Sequence, residues 1–182
     1  MYRSRSVNID PVRLAKVKDI NWNDIKPQRG GVIIYTVRDN QVYFGLGIDA
    51  KTGDITDFGG GIRYKRDGDA INGSLREFME ESLCVFGSFE SEMIQENMVL
   101  YSKLMCIIFI HLELDIERMT EIFNQRIKIA KISEMSGMIW ITQEQLSQLI
   151  QTGHIEINDV NKKLYSRVRR FLIQNPNFYD YL

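Results

Sequence analysis

At 182 residues the chain is long enough for one well-cored domain and too short for two of ordinary size. Apolar residues make up 44% and charged residues 26%, as in soluble globular proteins, and a formal net charge of −1 gives the molecule as a whole no pull toward nucleic acid or membrane. No stretch has the length and apolarity of a membrane span or of a signal-peptide core. Two cysteines, Cys84 and Cys106, are too few for a disulfide framework; each sits in an apolar run where a buried thiol is usual, so a reducing, cytoplasmic setting is expected.

Residues 1–28 show mixed charge, weak periodicity and two prolines, Pro11 and Pro27. They read as an N-terminal extension packed on a domain that occupies residues 29–182, with Trp22 as an anchor. Gly30-Gly31 then opens a β-branched run, Val32 to Val37, and Asp39-Asn40 turns the chain into a second strand, Val42 to Ile48. This is a hairpin signature. A polar loop from Asp49 to Asp57 leads into Phe58 and a run of three glycines.

The segment from Asp57 to Gly87 reads as a glycine turn, a polar loop and a helix with two unlike faces. Ile71, Leu75, Phe78, Met79, Leu83 and Phe86 form one apolar stripe at helical spacing, which suits a helix packed on a sheet. Glu77, Glu80 and Glu81 lie on the other side, at i, i+3 and i+4. Their carboxylates project from adjacent turns and repel: a pair about 5 Å apart at an effective dielectric near 20 costs roughly 3 kcal/mol. Arg76 offsets one acid but not three. Clustered hard oxygen donors suit Mg²⁺ or Mn²⁺, and a glycine turn lets the backbone come close to an ion or a phosphate.

Arg76-Glu77-Phe78-Met79-Glu80-Glu81, preceded by Gly60-Gly61 and a loop, resembles the signature box of the Nudix hydrolase family, G-x5-E-x7-R-E-U-x-E-E-x-G-U. From Gly61 to Arg76 this chain is one residue longer than the pattern. No Glu holds the early acidic position, where Asp67 or Asp69 is the nearest substitute. Leu83 stands in place of the late glycine, so the helix is expected to run one more turn and stop at Gly87.

Beyond the box, Met98 to Leu114 is nearly continuous in apolar character and predicts a central strand covered on both faces. Met119, Ile122, Phe123, Ile127 and Ala130 predict a helix over residues 116–130. Met138 to Ile141 predicts a short strand, followed by a helix that Thr142 caps and that runs through Ile150. Val160, Leu164, Val168 and Leu172 share a stripe, with Lys162, Lys163, Arg167, Arg169 and Arg170 mostly off it. They predict a closing amphipathic helix over residues 159–173. Strands and helices alternating in this order give an α/β fold, an α/β/α sandwich around a mixed sheet. The Nudix resemblance covers about residues 30–150 and implies the same architecture.

The resemblance also implies an activity. In the family the box glutamates and a glycine carbonyl hold the metal, which here assigns Gly60, Glu77, Glu80 and Glu81 to Mg²⁺ or Mn²⁺. Glu77 and Glu80 would serve catalysis directly, with Arg76 orienting a glutamate through a charge-assisted bond. An extra base falls to Glu134, in the loop before the Trp140 strand, or to Glu113. The reaction implied is cleavage of a pyrophosphate bond in a nucleoside diphosphate linked to another moiety, such as a nucleotide, a sugar or capped RNA. The alternative is a catalytically inactive module of the same fold that binds nucleotide, RNA or a protein. Basic residues among the first thirty and from Lys162 to Arg170 would extend a phosphate-binding surface toward RNA, although a solvated helix face is the plainer account of them. His111 and His154 have no zinc-like spacing.

Overall fold

The computed structural model describes residues 10–131 and 133–182. Its strands are β1 (Arg13–Lys16), β2 (Arg29–Arg38), β3 (Gln41–Asp49), β4 (Ile55–Thr56), β5 (Phe58–Gly61), β6 (Met98–Tyr101), β7 (Met105–His111), β8 (Met135–Thr142), β9 (His154–Ile157) and β10 (Val160–Lys163). Its helices are α1 (Tyr64–Asp67), α2 (Ala70–Glu81), α3 (Ile116–Ile129), α4 (Gln143–Thr152) and α5 (Ser166–Leu172).

Strands β1 to β8 make one mixed sheet in which β2 is central. It lies parallel to β7 from Arg29 to Tyr35 and divides its other edge between two antiparallel partners. Arg29 to Val32 pair with β5, and Ile34 to Arg38 pair with β3. The expected glycine turn is therefore extended backbone, the strand β5, which enters the sheet beside the start of β2. Strands β9 and β10 form a separate hairpin.

Side chains alternate across a strand, so one run of β2 feeds two cores. Val32 and Ile34 face Phe58, Ile71, Leu75, Phe78 and Phe123, which brings α2 and α3 onto one face. Ile33 faces Phe44, Phe109, Leu146, Leu149, Val168 and Leu172, which brings α4 and α5 onto the other. Each large apolar side chain removed from water contributes about 1.5–3 kcal/mol. The expected α/β/α sandwich around a mixed sheet is the observed architecture.

Local signals set several elements. Asp39 and Asn40 both have positive φ, as the two-residue β2–β3 turn requires. Thr142 caps α4 by accepting from the Gln145 amide, and the Gln145 side chain accepts in return from the Thr142 amide. The N-terminal segment adds β1 to the sheet edge beside β6. There the Trp22 indole donates to the Val17 carbonyl at 3.1 Å and meets Tyr101 edge-on. Residues 1–9, with Arg3 and Arg5 of the basic N-terminal stretch, lie outside the described residues.

Four further expectations need correction. The segment after Met98 is a hairpin, β6 and β7 joined by a turn at residues 102–104, and the hydrogen bonds of Ser102 close that turn. Helix α2 stops at Glu81 rather than near Gly87, because Leu83 and Cys84 take left-handed backbone, with φ of 54° at each. The closing helix covers only Ser166–Leu172. Asn158 and Asp159 turn β9 into β10, and Leu164 is tied by its amide to the Gly153 carbonyl, so the spacing of Val160 and Leu164 belongs to a hairpin and its exit. Finally, Cys106 is buried but Cys84 is exposed on the left-handed turn.

Candidate active site

Two glycine-bearing strands cross closely where β5 meets β2. A Cβ on Gly59 would lie 2.6 Å from the Gly31 Cα, so a side chain there has no room. Just before this crossing, Asp57 is completely buried and paired with Arg29 through both carboxylate oxygens, Nη1 to Oδ2 at 2.8 Å and Nη2 to Oδ1 at 2.6 Å. Arg29 Nη2 also donates to the Gly59 carbonyl at 2.9 Å. The Gly59 amide, in turn, donates to Glu81 Oε2 at 2.6 Å.

Glu81 is therefore held under β5, 7% exposed. Burial pushes its carboxyl up to about 9, and the charges of Asp57 and Glu134 push the same way against the Gly59 amide and Arg29. Glu77 is also buried, and its carboxylate occupies the space that a side chain on Gly60 would need. Glu80, one turn away from solvent cover, keeps half its side chain exposed.

Arg76 joins the rest. Its Nε and Nη2 donate to the two oxygens of Asp67 at 2.8 and 3.0 Å, and Nη2 reaches the Gly61 carbonyl at 2.9 Å. Nη1 donates to Glu77 at 2.7 Å and to Glu80 at 3.1 Å. All five guanidinium donors are thus engaged. Three acids share this one cation, where the sequence reading gave it one. The guanidinium in turn keeps the Asp67 carboxyl below the usual carboxylate range, despite some burial.

The two acids offered for the early acidic position differ in geometry. Asp67 ends the short helix α1 and faces Arg76, whereas Asp69 caps α2 by accepting from the Asn72 amide at 2.8 Å. Between Gly61 and Arg76 the chain forms α1 and turns at Gly68, whose φ is +83°.

Glu134 and Glu113 part company as well. Glu134 is exposed, accepts from the Ala50 amide through its carbonyl, and lies close enough to Glu81 for its charge to raise that carboxyl. Glu113 follows β7 past the Tyr35–His111 pair, while β5 faces the Arg29–Met105 pair at the far end of the same ladder. Those ends are on the order of 20 Å apart. His111 is exposed and meets Tyr35 at a tilt, and His154 opens β9 beside Thr152.

The donor chemistry around Gly60 fits a hard divalent cation: only oxygens are offered, the backbone at Gly60 lies against Glu77, and Glu81 is a carboxyl short of positive charge. As the side chains stand, Glu77 and Glu80 turn to Arg76 and Glu81 turns to Gly59. Among the described residues no three His, Cys, Asp or Glu side chains converge as a ready metal cage. Surface grooves lie elsewhere, one of about 580 Å³ by Gln41, Gln148 and Tyr179, one of about 550 Å³ along α3 by Glu117, Thr120 and Asn124, and one of about 430 Å³ by Lys163, Arg169 and Arg170.

Sequence reading missed the Arg29–Asp57 pair. A cation just before Gly30-Gly31 and an acid just before Phe58-Gly59 were its only local signals.

No protein-family model and no curated protein matches the chain. Among solved structures it is similar to an Ap4A hydrolase of C. elegans in a binary complex, at 14% identity over 85% of this chain and 98% of that one, with a TM-score of 0.46. It is also similar to the NUDIX domain of Shewanella oneidensis NrtR complexed with ADP ribose, at 14% identity over 87% of this chain and 93% of that one, with a TM-score of 0.47.

Proposed function

We propose that this protein is a Mg²⁺- or Mn²⁺-dependent hydrolase of the Nudix type, cleaving a pyrophosphate bond in a nucleoside diphosphate linked to another moiety. The observation that carries the reading is the meeting of α2 with β5: Arg76 on Gly61, Glu77 against Gly60 and Glu81 on Gly59. Glu77, Glu80, Glu81 and the Gly60 carbonyl would hold the cation. When bound, it neutralises the diphosphate and acidifies a water molecule.

The chain's own residues do the remainder. Arg76 places Glu77 and Glu80 side by side through its two Nη1 protons, and Asp67 fixes the plane of the guanidinium. Glu134, exposed and near Glu81, accepts the proton of the attacking water. Water oxygen bonds to phosphorus, the bridging P–O bond breaks, and two phosphorylated products leave.

One observation favours a second reading, an inactive module of the same fold that binds nucleotide, RNA or a protein. In the Asp67–Arg76–Glu77–Glu80 cluster the guanidinium already engages all three carboxylates and turns Glu77 and Glu80 toward itself, which lessens their availability to a cation. Binding to capped RNA has less support, since Arg169 commits its Nε and one Nη2 donor to the Ile150 and Gln151 carbonyls. No described helix is long and apolar enough to cross a membrane.

Titration with Mg²⁺ and a panel of dinucleoside polyphosphates, ADP-ribose, nucleoside triphosphates and capped RNA, followed by chromatography of products, separates the two. Metal-dependent cleavage of a member of the panel is expected. Binding without cleavage of any compound would establish the module instead.

A further inference from the structure

Burying an ion pair is a poor way to gain stability, because removing both charges from water offsets most of their attraction; apolar residues of similar volume often do as well or better. Asp57 is nevertheless fully buried, and only 9% of the Arg29 side chain is exposed. What distinguishes the pair is where its remaining hydrogen bonds go. Arg29 belongs to β2, yet its Nη2 reaches across to the Gly59 carbonyl of β5, and the amide of that same residue holds Glu81. The links from Asp57 through Arg29 and Gly59 to Glu81 measure 2.6, 2.9 and 2.6 Å. Thr56 supplies a further donor at 3.1 Å to Asp57 Oδ1, the oxygen that Arg29 Nη2 also reaches. The strand crossing has no slack, since Gly59 and Gly31 touch through their backbones and the Asp57 carboxylate fills the space beside Gly31.

We infer that Arg29 and Asp57 are a buried positioning pair, which fixes the Gly59 peptide and through it the place of the Glu81 carboxylate. The consequence for catalysis rests on the hydrolase reading, but the geometric claim does not. Arg29 is suited to the task because its fork serves both Asp57 oxygens and the Gly59 carbonyl together; a lysine ammonium keeps the charge and loses the fork. Neither residue touches the reacting atoms.

The test uses the full chain with Arg29→Lys, Asp57→Asn and the apolar pair Arg29→Met/Asp57→Leu. Three quantities are followed: the Gly59 amide signal by NMR without metal, Mn²⁺ affinity by calorimetry, and kcat and KM on whichever compound the wild type cleaves. In Arg29→Lys the Gly59 amide proton is expected to move upfield as its bond to Glu81 loosens. Mn²⁺ affinity and kcat are expected to fall about tenfold or more, as for other residues that orient metal ligands, while KM changes little. The apolar double variant is expected to keep its melting temperature and still show those losses, which a purely structural pair would not. An unmoved Gly59 signal in folded Arg29→Lys and Asp57→Asn overturns the inference, whatever the enzymology. A wild type that cleaves nothing removes the hydrolase reading alone, because the amide signal still decides the positioning role.

Discussion

The Gly59 amide donates to Glu81 at 2.6 Å, yet the Glu81 carboxyl is still pushed up to about 9 from an ordinary value of 4.5. Burial outweighs the hydrogen bond, and the neighbouring Asp57 adds to it. The folded protein therefore holds a proton that the unfolded chain releases, and this favours folding fully below about pH 4.5. The advantage is lost as pH rises toward about 9. Metal-free protein is accordingly expected to lose thermal stability across that interval. Glu81→Gln, which can still accept from Gly59, should flatten the loss and raise the melting temperature by several degrees near pH 8, at about 2–4 °C per kcal/mol for a chain of this size. The same variant should abolish turnover. Calorimetric melts in chelator at several pH values, beside an activity assay, check both parts; a steep pH dependence that survives in Glu81→Gln would place its origin elsewhere.

Arg76 contacts Asp67, Glu77 and Glu80 together, Arg66 adding only a longer 3.9 Å pair to the exposed Glu80, and only 11% of the Arg76 side chain is exposed. Its loss leaves largely buried carboxylates unpaired. Arg76→Ala is expected to cost about 3 kcal/mol, as when one partner of a buried ion pair is removed. With the guanidinium gone, a divalent ion becomes the remaining way to relieve the repulsion. Added Mg²⁺ should thus raise the melting temperature of Arg76→Ala by more than it raises that of the wild type. Equal shifts in the two proteins would mean that Glu77 and Glu80 do not bind the ion.

Leu83 ends α2 in left-handed backbone, with φ of 54°, at a position where a side chain costs about 1–2 kcal/mol. Its side chain is half-buried and its carbonyl accepts from Arg126 at 2.6 Å, which holds the turn in place. Leu83→Gly removes the backbone strain and gives up some packing and chain entropy in exchange. Lost half-burial and added chain entropy each give back up to about 1 kcal/mol, so the net change is expected to stay within about 1 kcal/mol, read as a small shift of the urea midpoint at unchanged slope.

This turn also shows where the sequence stopped being legible. Helix start, strand alternation and tight-turn chemistry are local, so Thr142 with Gln145, Asp39 with Asn40, and the Ile71, Leu75 and Phe78 stripe could be read directly. The stop at Leu83 could not, because a non-glycine residue in left-handed backbone is held there by tertiary contacts, the Arg126 bond among them. The C-terminal helix was misread for a related reason: Val160, Leu164, Val168 and Leu172 repeat every four residues by coincidence across a hairpin and its exit. In the candidate site, the spacing of the helix acids and the glycine run before them could be read directly. Their partners were not, since pairing Arg29 with Asp57 depends on the register of β2 against β5, and sharing Arg76 among three acids depends on how the loop folds back.

That same topology separates two acids the sequence left as equals. Glu134 precedes β8 beside the β3–β4 turn and its charge reaches Glu81, whereas Glu113 leaves β7 at the opposite end of the β2 ladder. A base must stand within reach of the water it deprotonates, either directly or through one more water. Glu134→Gln is therefore expected to lower kcat by about 10²–10⁴-fold, the usual contribution of a positioned base, with little change in KM or in melting temperature. Glu113→Gln should leave all three unchanged. Steady-state kinetics on both variants with the compound the wild type cleaves decides between them, and a large kcat loss in Glu113→Gln with none in Glu134→Gln would reverse the assignment.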